Sequence, residues 1–165
     1  MYNSSKNIVL IGMPGCGKTT IGKLLAKELG RKFIDIDNIV EEQVGCTINE
    51  LFRLGEEHFR NLEAAAVLVL EKEESSVIAA GGGIVKRASN MESLKKNGMI
   101  VFIDRSVKDI AADIDATTRP LLANGTGRLA ELYAERYGLY KKYSDFIVAN
   151  EGKMMEVVEN IKKII

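Results

Sequence analysis

From residue 12 to residue 19 the chain reads Gly-Met-Pro-Gly-Cys-Gly-Lys-Thr. This is the spacing G-x-x-x-x-G-K-[ST], and it lies between an apolar run and a helical pattern, where that spacing makes a phosphate loop. Glycines at 12, 15 and 17 let the backbone curl until several N–H groups converge. The helix that starts at Lys18 adds the positive end of its dipole, so the nest suits phosphate oxygens. Lys18 reaches the β- and γ-phosphates of a nucleoside triphosphate, and Thr19 offers a hydroxyl to Mg²⁺. Gly12, Gly15, Cys16, Gly17, Lys18, Thr19 and Thr20 are the expected ATP-binding residues.

Asp35 and Asp37 close the run Lys32 to Asp37, KFIDID, which reads as a strand. Side chains at i and i+2 on a strand share a face, so both carboxylates are expected in one site. One can hold Mg²⁺ partly through water, and the other is free for an acceptor hydroxyl as hydrogen-bond acceptor or base. Gly81-Gly82-Gly83 follows another apolar run and offers backbone that a ligand can approach closely. Arg60 has Glu63 one turn later in GEEHFRNLE, and Arg136 lies in AERYGLY. Taken alone, each arginine reads as an ordinary solvated helical residue. Arg119, in ATTRPLLANGTG, stands in a loop able to open and close and to bring an arginine to a transferring phosphoryl group.

The elements that must position these residues alternate. Strands are expected at Asn7 to Gly12, Lys32 to Asp37, Ser76 to Ala80, Met99 to Asp104 and Phe146 to Val148. Helices are expected at Lys18 to Leu29, Asn38 to Val44, after a capping box at Thr47 and Glu50, and over His58 to Glu73. Further helices fall at Asn90 to Asn97, Val107 to about Ile114, Leu129 to Tyr143 and Met154 to Ile165. Short apolar strands between helices imply βαβ units: an α/β single-domain, three-layer sandwich with a five-stranded parallel sheet flanked by helices. Ligands in such sheets bind beyond the carboxyl ends of the strands, where the glycine loop, the aspartates and the triple glycine all fall.

The 165 residues suit one core. With 23 basic and 23 acidic residues, no global field favours nucleic acid or an anionic membrane. Two cysteines form no disulfide framework, and the opening apolar run is too short for a signal or membrane segment. A cytoplasmic protein is expected.

The sequence resembles the shikimate kinases over nearly its whole length. The resemblance rests on the phosphate loop, Asp35-Ile-Asp37, Gly55 to Glu63 as G-E-x-x-F-R-x-x-E, the triple glycine, Arg119-Pro-Leu-Leu, and Arg136-Tyr-Gly-Leu139-Tyr140. It implies transfer of a phosphoryl group from ATP to shikimate, giving shikimate 3-phosphate in the route to aromatic amino acids. It implies Asp35 near Mg²⁺ and Asp37 at the acceptor hydroxyl. Arg60 and Arg136 would hold the shikimate carboxylate, with Glu63 orienting Arg60. Gly81, Gly82 and Gly83 would close on the ring, and Arg119 would come to the phosphates from a lid over 116–127. The acceptor-binding segment is expected at about 38–72, the partners are small molecules, and the protein is expected to be a monomer.

Three departures stand out. Only Arg53-Leu54 separates Phe52 from Gly55, residues 109–118 hold no arginine for the adenine ring, and Ala80 brings no Mg²⁺ ligand before the glycines. A gluconate kinase, a nucleoside monophosphate kinase and a non-catalytic nucleotide-binding module share the phosphate loop. The first is expected to lack the paired aspartates with the triple glycine, the second needs base-recognition elements, and the third needs no second pocket.

Overall fold

A computed structural model describes residues 5–113 and 126–165. Five parallel strands form one sheet: β1 (Asn7–Ile11), β2 (Lys32–Asp35), β3 (Ser76–Ala79), β4 (Gly98–Asp104) and β5 (Phe146–Ala149), in the spatial order β2-β3-β1-β4-β5. The central strand, NIVLI, is buried throughout, and from Ile8 to Ile11 it is apolar at successive positions, as a strand covered on both faces requires. Its register pairs Leu10 with Ala79 on one side and Val101 on the other. All five strands run in one direction, so the loops after β1, β2, β3, β4 and β5 lie along one rim.

Among the described residues eight α-helices flank the sheet: α1 (Lys18–Leu29), α2 (Ile36–Val44), α3 (Ile48–Leu54), α4 (Glu56–Val69), α5 (Ala88–Lys96), α6 (Val107–Asp113), α7 (Thr126–Tyr143) and α8 (Met154–Ile164). Helix α1 lies close to the sheet at Gly22, where a Cβ would come within 2.5 Å of the Phe33 ring. Thr47 and Glu50 form the expected capping box of α3.

One boundary differs in a way that matters. The strand expected to reach Asp37 stops at Asp35, and α2 begins at Ile36. The cause is local. The Asp35 carboxylate accepts from the N–H groups of Asp37, at 3.0 Å, and Asn38, at 3.4 Å, and so caps the new helix. Asp37 thus reaches the rim from a first helical turn, not from the same strand face as Asp35. The helix expected from His58 to Glu73 starts two residues earlier, at Glu56, and gives way to a 3₁₀ turn over Leu70–Lys72. Arg119 and nearly all of the 116–127 lid expectation lie outside the described residues.

Candidate active site

A cavity of about 530 Å³ opens at the rim. It has two ends, built from different parts of the chain.

The first end is the glycine loop. Gly15, Gly17, Lys18, Thr19 and Thr20 line it, whereas Gly12 and Cys16 do not. Gly12 lies behind the loop, where a Cβ would meet the Ile103 carbonyl oxygen at 2.6 Å. Cys16 is fully buried, with its Sγ 3.5 Å from the Lys18 amine. Lys18 donates to the carbonyls of Gly12 and Met13, each at 2.8 Å. These bonds hold its charge over the loop. Thr19 donates its hydroxyl to Asp35 Oδ2 at 3.1 Å. That places two hard oxygens side by side next to the phosphate nest, a donor set suited to Mg²⁺.

The second end gathers charge that spacing alone left on solvated helices and that the family resemblance assigned to the acceptor. Arg60 is 4% exposed, Glu63 0% and Arg136 1%. Arg60 Nη1 donates to Glu63 Oε1 at 2.9 Å, and its Nη2 donates to Glu56 Oε1 at 3.1 Å. Lys86 shares that Glu56 oxygen at 3.0 Å. Burial pushes the Glu63 carboxyl up, and the Arg60 guanidinium works against the push. Arg136 differs from Arg60: its Nε and Nη1 are buried without a protein partner. Two unpaired donors of one guanidinium are a site for an oxyanion.

Asp37 stands between the ends. One of its oxygens, Oδ1, is buried with no protein partner. Burial first, then the nearby carboxylates Asp35 and Glu63, raise its pKa to about 7, while Lys18 and Arg60 pull the other way. A carboxyl that ionises near neutral pH is suited to accept a proton in catalysis.

The triple glycine is the wall that these groups face, and each glycine meets a different neighbour. A Cβ on Gly81 would lie 3.0 Å from Glu63 Oε2 and 3.1 Å from Asp37 Oδ1. One on Gly82 would strike Pro14 of the glycine loop at 2.7 Å. One on Gly83 would be 2.0 Å from Arg60 Nη2. The turn therefore fits only without side chains. Despite the short Arg53-Leu54 segment, α4 still brings Arg60 into the cavity.

The structure gives a place in the site to three residues to which the sequence assigned no role. Tyr140, fully buried and stacked on Phe102 with ring centroids 5.0 Å apart, donates its hydroxyl to the Gly82 carbonyl at 2.5 Å. Arg105 and Asn150 reach the glycine loop from behind. Tyr140 appeared in the late motif and Asn150 at a strand end, which are the only signals the sequence offered.

The family model described as "SKI: Shikimate kinase" matches residues 14–165. A curated shikimate kinase from Clostridium botulinum is 53% identical over 158 residues, covering 96% of each chain. The chain belongs to the shikimate kinase family. Among solved structures, a shikimate kinase from Acinetobacter baumannii in complex with shikimate aligns with a TM-score of 0.92 at 33% identity, covering 97% of this chain and 92% of that one. A shikimate kinase from Bacteroides thetaiotaomicron aligns with a TM-score of 0.87 at 28% identity, covering 96% and 97% respectively. Like other members of the family, the chain is a phosphotransferase of the P-loop kind. Among the described residues no helix is long and apolar enough to cross a membrane.

Proposed function

We propose that this chain transfers the γ-phosphoryl group of ATP to a hydroxyl of shikimate. The observation that carries the reading is the two-ended cavity: a phosphate nest with Lys18 at one end, and at the other Asp37 beside two arginines, one with unpaired donors. Shikimate has one carboxylate and several hydroxyls. Its carboxylate can accept from the unpaired donors of Arg136, with Arg60 lining the same end. Its ring then lies against the triple glycine, with one hydroxyl toward Asp37.

In the transfer, the acceptor oxygen forms a bond to Pγ while the bond from Pγ to the β-bridging oxygen breaks and ADP leaves. The hydroxyl proton passes to the Asp37 carboxylate. Lys18 stabilises charge growing on the β- and γ-oxygens. Glu63 holds Arg60 in place, and Asp35 fixes both the α2 cap and the Thr19 hydroxyl. Thr19 and Asp35 would hold Mg²⁺, which would supply neutralising charge to the phosphates. Arg119 is assigned to the phosphates and the segment 116–127 to a lid, on the resemblance alone. Residues from about 38 to 72 form the acceptor-binding segment, supported by Arg60 and Glu63 on α4, with Asp37 immediately before it in the first turn of α2. The chain works as a cytoplasmic monomer on small molecules, with neither nucleic acid nor membrane as partner, which fits its balanced charge.

Measuring ADP release from ATP with and without shikimate tests the reading. Turnover is expected only with shikimate. Equal turnover in its absence, or turnover with gluconate or a nucleoside monophosphate instead, would overturn it.

A further inference from the structure

A phosphate nest works only if its peptide N–H groups point inward, and glycines, which permit many conformations, do not enforce this alone. Something behind the loop must hold the opposite ends of those peptides. Because a trans peptide is planar, fixing the carbonyl of one residue fixes the N–H of the next in the opposite direction.

Asn150 meets that requirement. It sits just past β5, 2% exposed, outside the cavity lining. Its backbone N–H donates to the Asp104 carbonyl at 2.8 Å, continuing the β4–β5 ladder and fixing it to the sheet. Its side-chain Oδ1 accepts from the Gly152 N–H at 3.0 Å. That contact settles the orientation of the amide, since the nitrogen must then face the other way. Nδ2 donates to the Cys16 carbonyl at 2.8 Å. The peptide so held joins Cys16 to Gly17, and its N–H therefore turns toward the cavity that Gly17 lines. The approach is close: a Cβ on Gly17 would be 3.1 Å from Asn150 Nδ2 and 3.0 Å from Met154 Cε. Arg105, 9% exposed at the end of β4, holds the preceding carbonyl, that of Gly15, at 3.1 Å and pairs with Asp113. Two consecutive peptides of the loop are thus held from behind, each by a side chain from the end of a different strand.

We infer that Asn150 is a positioning residue for the nucleotide phosphates, setting the Gly17 N–H through the Cys16 carbonyl; Arg105 steadies the adjoining peptide, whose own Cys16 N–H is bonded to the Met13 carbonyl at 3.1 Å. The inference rests on the kinase reading and extends it to residues that touch no substrate.

The test uses the full chain with ADP as probe in calorimetry, alongside steady-state kinetics in ATP and shikimate. Asn150→Asp keeps the acceptor for Gly152 and turns the donor to Cys16 into a second acceptor. Asn150→Ala removes both. About a tenfold loss of ADP affinity and a similar rise in KM for ATP are expected in each, because a mismatched buried polar group acts on one loop. KM for shikimate is expected to stay within about twofold. Circular dichroism confirms the fold, and if the aspartate variant does not fold, the alanine variant decides. Folded variants that bind ADP as the unaltered chain does would overturn the inference. So would equal rises in both KM values, which mark general loosening. Failure of the unaltered chain to bind ADP would overturn the kinase reading and this inference together.

Discussion

Asp35 Oδ1 accepts the backbone N–H of Asp37 at 3.0 Å, so one aspartate positions the other. The same Asp35 carboxylate accepts the Thr19 hydroxyl through Oδ2. The two carboxylates differ in their ties: Asp35 is bonded to the backbone and to Thr19, whereas Asp37 keeps a buried Oδ1 with no protein partner.

Changing Asp35 to Asn should therefore separate the two duties. Asn caps helices about as well as Asp, so α2 should persist. A neutral amide is a poorer partner for a hard cation, so the Mg²⁺ concentration needed for half-maximal rate should rise. Titrating Mg²⁺ in the assay checks this. A raised requirement in Asp37→Asn instead would reverse the two roles.

Asp37→Asn should leave ADP binding intact and remove most of kcat together with acceptor affinity. It should also reveal a stability effect with a definite sign. In the native state the Asp37 carboxyl titrates at about 7, against an ordinary value of 3.8. Between those values the folded chain holds a proton that the unfolded chain has lost. Stability from this group is thus complete below about pH 4 and falls as pH rises to about 7. The Asn variant lacks that loss. Thermal melts should show it more stable than the unaltered chain at pH 8 and no more stable at pH 4. In the unaltered chain, kcat/KM for shikimate should rise with pH through about 7 as Asp37 ionises.

The two arginines should differ in their effect on stability, though both are proposed to hold the acceptor. Arg60→Ala leaves Glu63 buried without its cation, which costs about 3–5 kcal/mol. Arg136→Met removes a buried guanidinium with two donors unpaired, so the empty protein should be no less stable, and it can gain. Both should raise KM for shikimate far more than KM for ATP. Denaturant unfolding beside kinetics checks the pair.

Lys18→Ala should abolish transfer with the fold retained, a loss of about 3–4 kcal/mol of transition-state stabilisation. Near-normal turnover with unchanged melting would remove Lys18 from the mechanism.

What the sequence disclosed was local. The glycine loop, its lysine and the alternation of strands are short-range patterns, and all five strands are found where the apolar runs lie. The reach of β2 to Asp37 was misread because KFIDID continues a period-two pattern, while the capping bonds of Asp35 end the strand earlier. Arg60 and Glu63 looked like a surface pair at i and i+3. Both in fact lie buried against the distant triple glycine, the Arg60 guanidinium at Gly83 and the Glu63 carboxylate at Gly81. Tyr140 and Asn150 act on carbonyls 58 and 134 positions distant, and no periodicity encodes such partners.

The contact of Gly83 with Arg60 has a consequence for how the chain can vary. Any side chain at 83 must occupy space the guanidinium fills, so the two positions are not free to drift separately. A substitution at 83 is harmful while Arg60 remains and becomes tolerable once position 60 is small, by which time the arginine's service is already lost. The glycine is thus kept by what stands across from it, and the pair should be inherited, or abandoned, together.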